Sequence, residues 1–72
     1  MGKKAQIRRV LARNVRRLRT AKGLRQGELA ADAGLFQALI SEIENGLANP
    51  ELDTLGKIAR ALGVDPRELF EE

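Results

Sequence analysis

The sequence predicts an all-α fold in which five short helices form a single domain. Apolar residues recur at intervals of three or four, the period of an amphipathic helix, and they nowhere alternate with polar residues as in a half-buried strand. A glycine follows each of the first four apolar segments, where helices commonly end. A chain of 72 residues has room for one domain, which would bury only about 60% of the surface that the unfolded chain exposes.

The first two helices are predicted over residues 5–21 and 26–33. The first is defined by apolar residues one turn apart, namely Ile7, Leu11, Val15 and Leu18. Gly23 ends it, and basic residues in its last turn complement the helix dipole. The second helix is ended by Gly34, and its predicted inward face consists of Leu29, Ala30 and Ala33.

The third helix, predicted over residues 37–45 and ended by Gly46, has two distinct faces. At about 100° per residue, an arc of roughly 140° holds only small or polar residues, which are Gln37, Ala38, Ser41, Glu42 and Asn45. The opposite side carries Leu39, Ile40 and Ile43, and Leu35 is placed to pack on Ile40 as a hydrophobic staple. A small polar face allows a helix to approach a partner closely, as entry into the major groove of DNA requires.

The fourth helix follows a turn at Asn49-Pro50, because proline disfavours a helical conformation in the residue before it. Five apolar residues at helical spacing predict this helix, namely Leu52, Leu55, Ile58, Ala59 and Leu62. Gly63 ends the helix.

A fifth helix is predicted over residues 66–71. Asp65 is placed as its N-cap, Pro66 as its first helical residue and Glu68 as the third, which is the arrangement of a capping box. Leu69 and Phe70, two bulky residues, are adjacent in this helix and lie about 100° apart around its axis. We therefore expect one of them to be buried and the other to stay exposed.

Cysteine and histidine are both absent from the sequence. Their absence excludes thiolate and imidazole catalysis, disulfide bonds and the zinc-finger patterns, so we expect a protein that is not an enzyme and needs no cofactor or metal. No apolar run approaches the roughly 20 residues of a membrane span, and the basic start lacks the apolar segment of a signal peptide. A cytoplasmic protein is therefore expected.

The net charge of +3 is unevenly distributed along the chain. Residues 1–26 contain ten basic residues and no acid, whereas residues 27–72 contain three basic residues and all ten acids. Such an uneven distribution of charge favours a polyanionic partner, since a basic surface attracts phosphates. The alternative is that the basic residues form a solvated helix face without a ligand. Residues 1–4 are predicted to form a basic N-terminal arm.

Three motifs follow one another along the chain: "LR…KGL.Q.ELA..AGL", "IS.IENG..NP" and "TL.KIA.ALGV.P.ELF". In this order and spacing, residues 8–70 resemble the lambda-repressor/Cro-like family of helix-turn-helix regulators. The resemblance implies a compact five-helix lambda-repressor-like domain over residues 1–72, with the helix-turn-helix at residues 26–45. It also implies that residues 37–45 are a recognition helix for the major groove of double-stranded DNA.

The resemblance assigns base recognition to the outward face of this helix. Gln37 matches the glutamine near the start of the family's recognition helix, and a glutamine amide can bond bidentately to adenine. Ala38, Ser41 and Glu42 complete the predicted reading face. Gln26 matches the glutamine that opens the preceding helix, which in the family bonds a DNA phosphate and braces the next glutamine. The alternative for both glutamines is a solvent-exposed polar residue without a ligand.

Two further matches concern the end of the recognition helix. Asn45 matches a residue that contacts a DNA phosphate in relatives, although a polar residue at a helix C-terminus has the same appearance. Arg19 and Glu44 match the family's structural ion pair between the first helix and the recognition helix, and we interpret them as scaffold.

The chain departs from the family where serine or threonine usually precedes a helix. Arg25, Phe36 and Glu51 occupy those places before the second, third and fourth helices. Each missing cap is expected to destabilise the domain by about 0.5–2 kcal/mol. We expect Arg25 to contact a DNA phosphate and Phe36 to pack on a thymine methyl group or a sugar.

The sequence leaves two hypotheses of function open. The first is sequence-specific binding of double-stranded DNA, in the cytoplasm at the nucleoid, by a transcriptional regulator or an engineered DNA binder on that scaffold. A weak homodimer through the C-terminal helix is expected with it. The second is a protein-interaction module, antitoxin-like or a regulatory partner. It would dock through an apolar patch of Phe36, Leu39 and Leu47. Relatives commonly carry a basic residue at the position of Leu47.

Overall fold

Four α-helices and a short 3-10 helix make up the part of the chain that the computed structural model describes, residues 3–72, with side chains from residue 6. The α-helices in chain order are α1 (Lys3–Ala21), α2 (Gln26–Ala33), α3 (Gln37–Glu44) and α4 (Leu52–Leu62), and the 3-10 helix spans Pro66–Phe70. Residues 3–72 contain no β-strand, and none of the helices described there has the length and apolar character of a membrane span. The predicted all-α class is confirmed.

The α-helices lie close to the positions predicted from apolar periodicity and glycine stops. α2 has the predicted bounds, and α3 is one residue shorter because Asn45 follows its last helical residue. α1 begins before the expected start, so Lys3 and Lys4, which were predicted to belong to an arm, are helical. Met1 and Gly2, the rest of that arm, lie outside the described residues.

The C-terminal segment, predicted as a fifth helix over residues 66–71, is a 3-10 helix over Pro66–Phe70 and not an α-helix. The N–H of Glu68 donates to the carbonyl of Asp65 at 2.8 Å, three residues back. The Asp65 carboxylate accepts from the N–H of Arg67 at 2.9 Å, one residue short of the position that a capping box requires. The segment is five residues long, and short pieces of chain commonly adopt 3-10 geometry.

A glycine in the left-handed conformation produces the tight turn between α2 and α3. Gly34 ends α2 with φ at 71°, a value that residues with a side chain rarely adopt. The N–H of Leu35 then donates to the carbonyl of Ala30 at 2.8 Å and so provides a partner for a carbonyl in the last turn of α2. As a result α2 packs directly against α3, and it also packs against α4.

The core draws side chains from every element: Leu11, Val15, Leu29, Ala30, Ile40, Ile43, Ile58, Ala59, Leu62 and Leu69 are buried together. The inward faces predicted for the first three helices are confirmed, except that Ile7 is 56% exposed. Leu52, the first of the five apolar residues whose spacing predicts α4, lies outside the core and is 84% exposed. Leu52 is the first residue of α4, and the packing of this helix on the core begins one turn later, at Leu55.

Asn14 of α1 holds the C-terminal segment against the domain, although no pattern in the sequence singled it out. It is almost fully buried, and its Nδ2 donates to the carbonyl oxygens of Leu69 (3.1 Å) and Glu71 (2.7 Å). Arg17 Nη2 donates to Asn14 Oδ1 at 3.1 Å. Leu69 is fully buried while Phe70 is 42% exposed, which confirms the expectation that only one of the two lies inside.

Candidate nucleic-acid interface

The outward face of α3 is open to solvent. Its small or polar residues are exposed or partly exposed, and we call them the reading face: Gln37, Ala38, Ser41 and Glu42. Ile40 and Ile43 lie on the opposite side with exposures of 0% and 1%, which fixes the rotation of the helix about its axis. The short side chains of Ala38 and Ser41 leave the helix backbone close to the surface. The amide of Gln37 and the carboxylate of Glu42 supply hydrogen-bonding groups.

Glu44, the last residue of α3, joins this helix to α1. None of its side chain is exposed, and its carboxylate accepts two bonds from Arg19, from Nε to Oε2 at 2.6 Å and from Nη2 to Oε1 at 2.9 Å. Arg19 Nη1 also donates to the carbonyl of Leu24 at 2.8 Å. One bidentate ion pair therefore sets the position of α3 relative to α1 and to the segment that leads into α2.

Two further donors surround the Glu44 carboxylate. Arg16 Nε lies 3.3 Å and Gln26 Nε2 lies 3.0 Å from its Oε1. Burial raises the pKa of Glu44 and is the largest single effect, but the hydrogen bonds from Arg19, Gln26 and Arg16, with the charge of Arg19, together hold the pKa below its ordinary value. The hydrogen bond to Glu44 raises the pKa of Arg19. Both partners of the pair are therefore charged at neutral pH.

Gln26, the first residue of α2, donates to Glu44, whereas the family resemblance implies a brace to Gln37. The bond ties the first turn of α2 to the end of α3. Gln26 is only partly buried, and its amide nitrogen carries a second proton that can still be donated. No sequence pattern indicated this partner, because the two residues are 18 apart and no helical or strand period relates them.

Asn45 is exposed just beyond the end of α3, and its side chain turns back on the helix. Its Nδ2 donates to the carbonyl of Ser41 at 2.8 Å. An amide nitrogen has two protons, so the second can still be donated to an acceptor such as a phosphate oxygen.

The residues before α2, α3 and α4 make no side-chain cap, as the sequence predicts for Arg25, Phe36 and Glu51. At α2, Glu28 compensates in part, since its carboxylate accepts from the backbone N–H of Arg25 at 2.8 Å. This is one half of a capping box, and a guanidinium has no acceptor with which to complete it. The Arg25 side chain is left exposed at a helix N-terminus, where the backbone N–H groups attract anions.

Phe36 and Leu47 are 86% and 72% exposed, but they lie at opposite ends of α3. The eight-residue helix that separates them is about 12 Å long at 1.5 Å per residue. Leu39, the third residue of the predicted apolar patch, is partly buried and packs against the core. The three residues do not form one continuous patch, and the protein-interaction alternative is not favoured.

Four arginines of α1 line a shallow hollow of about 450 Å³ beside Glu44, and we call them the arginine row: Arg9, Arg13, Arg16 and Arg17. All four are exposed, on the side of α1 that faces away from the core. The contact between Arg16 and Glu44 places one end of the row next to the end of α3. Positive charge therefore extends along α1, starting where Arg16 meets the end of α3.

A second hollow, of about 500 Å³, lies between the start of α1 and the C-terminus. It is lined by Gln6, Ile7, Val10, Phe70 and Glu72. Within the described part of the chain, no group of three or more Asp and Glu side chains converges as a metal site would require.

The sequence profile of the helix-turn-helix family matches residues 15–69, the stretch that contains α2, α3 and the residues around Glu44. The chain belongs to the helix-turn-helix family. Membership confirms the resemblance to lambda-repressor/Cro-like regulators that the three sequence motifs indicated.

The similar proteins include a transcriptional regulator and two controller proteins. The uncharacterised HTH-type transcriptional regulator y4dJ of Sinorhizobium fredii is 43% identical over 63 residues, which cover 88% of this chain and 82% of that protein. The control protein C.BamHI of Bacillus amyloliquefaciens is 39% identical over 66 residues, which cover 90% of this chain and 82% of that protein. The crystal structure of the restriction-modification controller protein C.AhdI from Aeromonas hydrophila has a TM-score of 0.85 and 41% identity, and the match covers 88% of this chain and 96% of that chain.

Proposed function

We propose that this sequence-specific DNA-binding protein, a transcription regulator by its family, places α3 in the major groove of double-stranded DNA and recognises its site with the reading face. The observation that carries the proposal is the orientation of α3. Two buried isoleucines and the buried pair of Glu44 with Arg19 hold the helix so that its small polar face points outward. The major groove admits an α-helix and presents a distinct pattern of donors and acceptors for each base pair.

Each residue of the reading face has a chemical role. The amide of Gln37 can donate to adenine N7 and accept from its N6, a pairing worth about 1–3 kcal/mol of discrimination. The carboxylate of Glu42 can accept from cytosine N4. Ser41 can donate or accept, and the methyl group of Ala38 suits the methyl group of thymine.

Phosphate contacts would fix the position of the protein on the duplex. Arg25 and Gln26 stand at the N-terminus of α2, where both the side chains and the helix dipole favour a phosphate. At the other end of the motif, Asn45 can donate its second amide proton. Phe36, exposed at the start of α3, would pack on a sugar or a thymine methyl group.

The arginine row would add affinity that does not depend on sequence. Each phosphate neutralised by an arginine releases counterions, so the affinity for any duplex should fall steeply as salt is added. Arg19 and Glu44 are assigned a structural role instead, because their side chains are only 13% and 0% exposed and are already paired with each other.

A weak homodimer through the C-terminal 3-10 helix would let two copies bind half-sites about one helical turn apart. Phe70 and Ile7 are 42% and 56% exposed beside the hollow at the C-terminus, which provides apolar surface for a second copy. Sedimentation at high protein concentration, without DNA and then with a palindromic duplex, tests this mode. Two copies per duplex are expected, and one copy at saturation would rule out the paired mode.

Selection of binding sites from a random duplex library tests the proposed function. We expect one short sequence to be enriched and to be bound at least about a thousandfold more tightly than random duplex. The proposed place of action is the nucleoid. If the same phosphate contacts serve both kinds of duplex, raising the salt concentration should reduce the affinity for the selected duplex and for random duplex by the same factor. Failure to enrich any sequence would contradict the proposal.

A further inference from the structure

Gly27, the second residue of α2, has a backbone conformation that does not require glycine. Its φ is not positive, unlike that of the four glycines at the ends of helices or turns. Glycine inside a helix destabilises it relative to alanine, because the unfolded chain loses more freedom on folding. Within residues 3–72, Gly56 of α4 is the other glycine of this kind, which makes it a natural comparison.

The two glycines differ in the space beside them. A Cβ atom at Gly27 would lie 3.2 Å from Oε1 and 3.7 Å from Cδ of Gln37, whereas a Cβ atom at Gly56 would meet no atom within 4 Å. Non-bonded heavy atoms attract best at about 3.5–4.0 Å, so the shorter of the two contacts is too close. The amide of Gln37 therefore lies against the position of a Cβ atom at residue 27, and it would have to shift by a few tenths of an ångström to admit one.

We infer that Gly27 is a positioning residue for Gln37: the missing side chain lets the Gln37 amide lie against the first turn of α2, and this placement determines how the amide meets a base. The inference rests on the proposed role of Gln37 in base recognition. Gly27 itself touches no base in this account and acts only through Gln37.

The placement matters because a bidentate contact is demanding in geometry. Both hydrogen bonds need donor–acceptor distances of about 2.7–3.2 Å, and the exposed Gln37 side chain has several rotatable bonds whose freedom is lost on binding. Contact with α2 restricts that freedom before DNA arrives. Alanine at position 27 would push the amide away from α2, and leucine would exclude it from its place.

The contact can be tested without DNA, in the intact protein. The side-chain amide signals of Gln37 are identified in a ¹H–¹⁵N NMR spectrum by their loss in Gln37→Ala. We expect them to shift in Gly27→Ala and to stay in place in Gly56→Ala, a matched control that adds the same methyl group to another helix. Both alanine variants should melt at or above the temperature of the parent, because alanine favours the helix. Unmoved Gln37 signals in Gly27→Ala would overturn the inference.

The consequence for recognition is tested on the selected DNA site. Discrimination is measured as the ratio of Kd values between this site and the site changed at the base pair to which Gln37→Ala is sensitive. We expect Gly27→Ala to reduce the ratio at least about twofold, Gly27→Leu to reduce it to the level of Gln37→Ala, and Gly56→Ala to preserve it. In a Gln37→Ala background, Gly27→Ala should change nothing further.

An equal loss of discrimination with and without Gln37 would overturn the inference, because it would show that Gly27 acts through the position of α2. An unchanged ratio in Gly27→Leu would overturn it as well. If Gln37→Ala has no effect at any base pair, the base-recognition role of Gln37 fails, and the NMR comparison still decides whether Gly27 places its side chain.

Discussion

Replacing Glu44 by glutamine removes one charge from the buried contact between α3 and α1 and changes little in shape. The carboxylate accepts bonds from three side chains, Arg19, Arg16 and Gln26. Glutamine keeps one acceptor oxygen but puts an NH₂ group where Arg19 Nε now donates at 2.6 Å, so that two donors would face each other. Arg19 would then keep its bond from Nη2 to the remaining oxygen but lose its negatively charged partner while staying largely buried.

The expected loss is large for a domain of this size. Removing one partner of a buried ion pair typically costs about 3–5 kcal/mol, and the oxygen that remains, together with the 13% exposure of the Arg19 side chain, brings our expectation to about 2–4 kcal/mol. A folded chain of 72 residues has a total stability of about 4–11 kcal/mol. The melting temperature should fall by about 10–30 °C.

Urea unfolding followed by far-ultraviolet circular dichroism measures this loss, since the chain has neither tryptophan nor tyrosine for fluorescence. Glu42→Gln is the matched control: it makes the same substitution on the same helix at an exposed position and should stay within about 0.5 kcal/mol of the parent. If Glu44→Gln lowers the unfolding free energy at neutral pH no more than Glu42→Gln does, the buried pair does not hold α3 and the reasoning is refuted.

The pH dependence of the same comparison provides a second check. The pKa of Glu44 is lower in the folded protein than its ordinary value, so its carboxylate stabilises the fold at pH values above the unfolded pKa of about 4.3. This contribution is lost as the pH falls through the folded pKa, because the carboxyl group is then protonated in both states. The difference in unfolding free energy between the parent and Glu44→Gln should therefore shrink below about pH 4.

Three other substitutions test the site and the scaffold. Arg25→Ala should weaken binding to all DNA sequences alike and reduce the salt slope by about one unit; an unchanged slope would assign Arg25 to the solvated surface. Glu42→Gln should remove a preference for cytosine at one position in competition binding, whereas tighter binding to every sequence would make Glu42 a source of repulsion. Asn14→Ala should lower the unfolding free energy by about 1–3 kcal/mol, because it leaves buried carbonyls without a donor. In thermal melts Asn45→Ala, which removes an exposed bond, should have a much smaller effect.

Local signals in the sequence were sufficient for the α-helices. A glycine stop and a short apolar period gave the bounds of α2, and the angular spacing of α3 separated the buried isoleucines from the exposed reading face. The C-terminal segment shows the limit of such signals, since Asp65 and Pro66 mark where a helix begins but do not determine whether it is α or 3-10. The exposure of Leu52 has a similar cause: periodicity assigns a face, but not how far along the helix the core extends.

The polar contacts that hold the site together could not be predicted in the same way. The pair of Arg19 and Glu44 was proposed from the family resemblance alone, because its members are 25 residues apart. Asn14 reaches carbonyls 55 and 57 residues away, and the bond of Gln26 to Glu44 spans 18. Such partners become visible only when the packing of the helices is known.

Base recognition by the outward face of α3 is tested by the DNA binding of Gln37→Ala. The Kd of the parent and of the variant is measured on the selected site, on the same site changed at each A·T pair in turn, and on random duplex. We expect the variant to lose about 5- to 150-fold in affinity on the selected site, to stop distinguishing one A·T pair, and to bind random duplex as the parent does. Equal losses on selected and random duplex would contradict the claim.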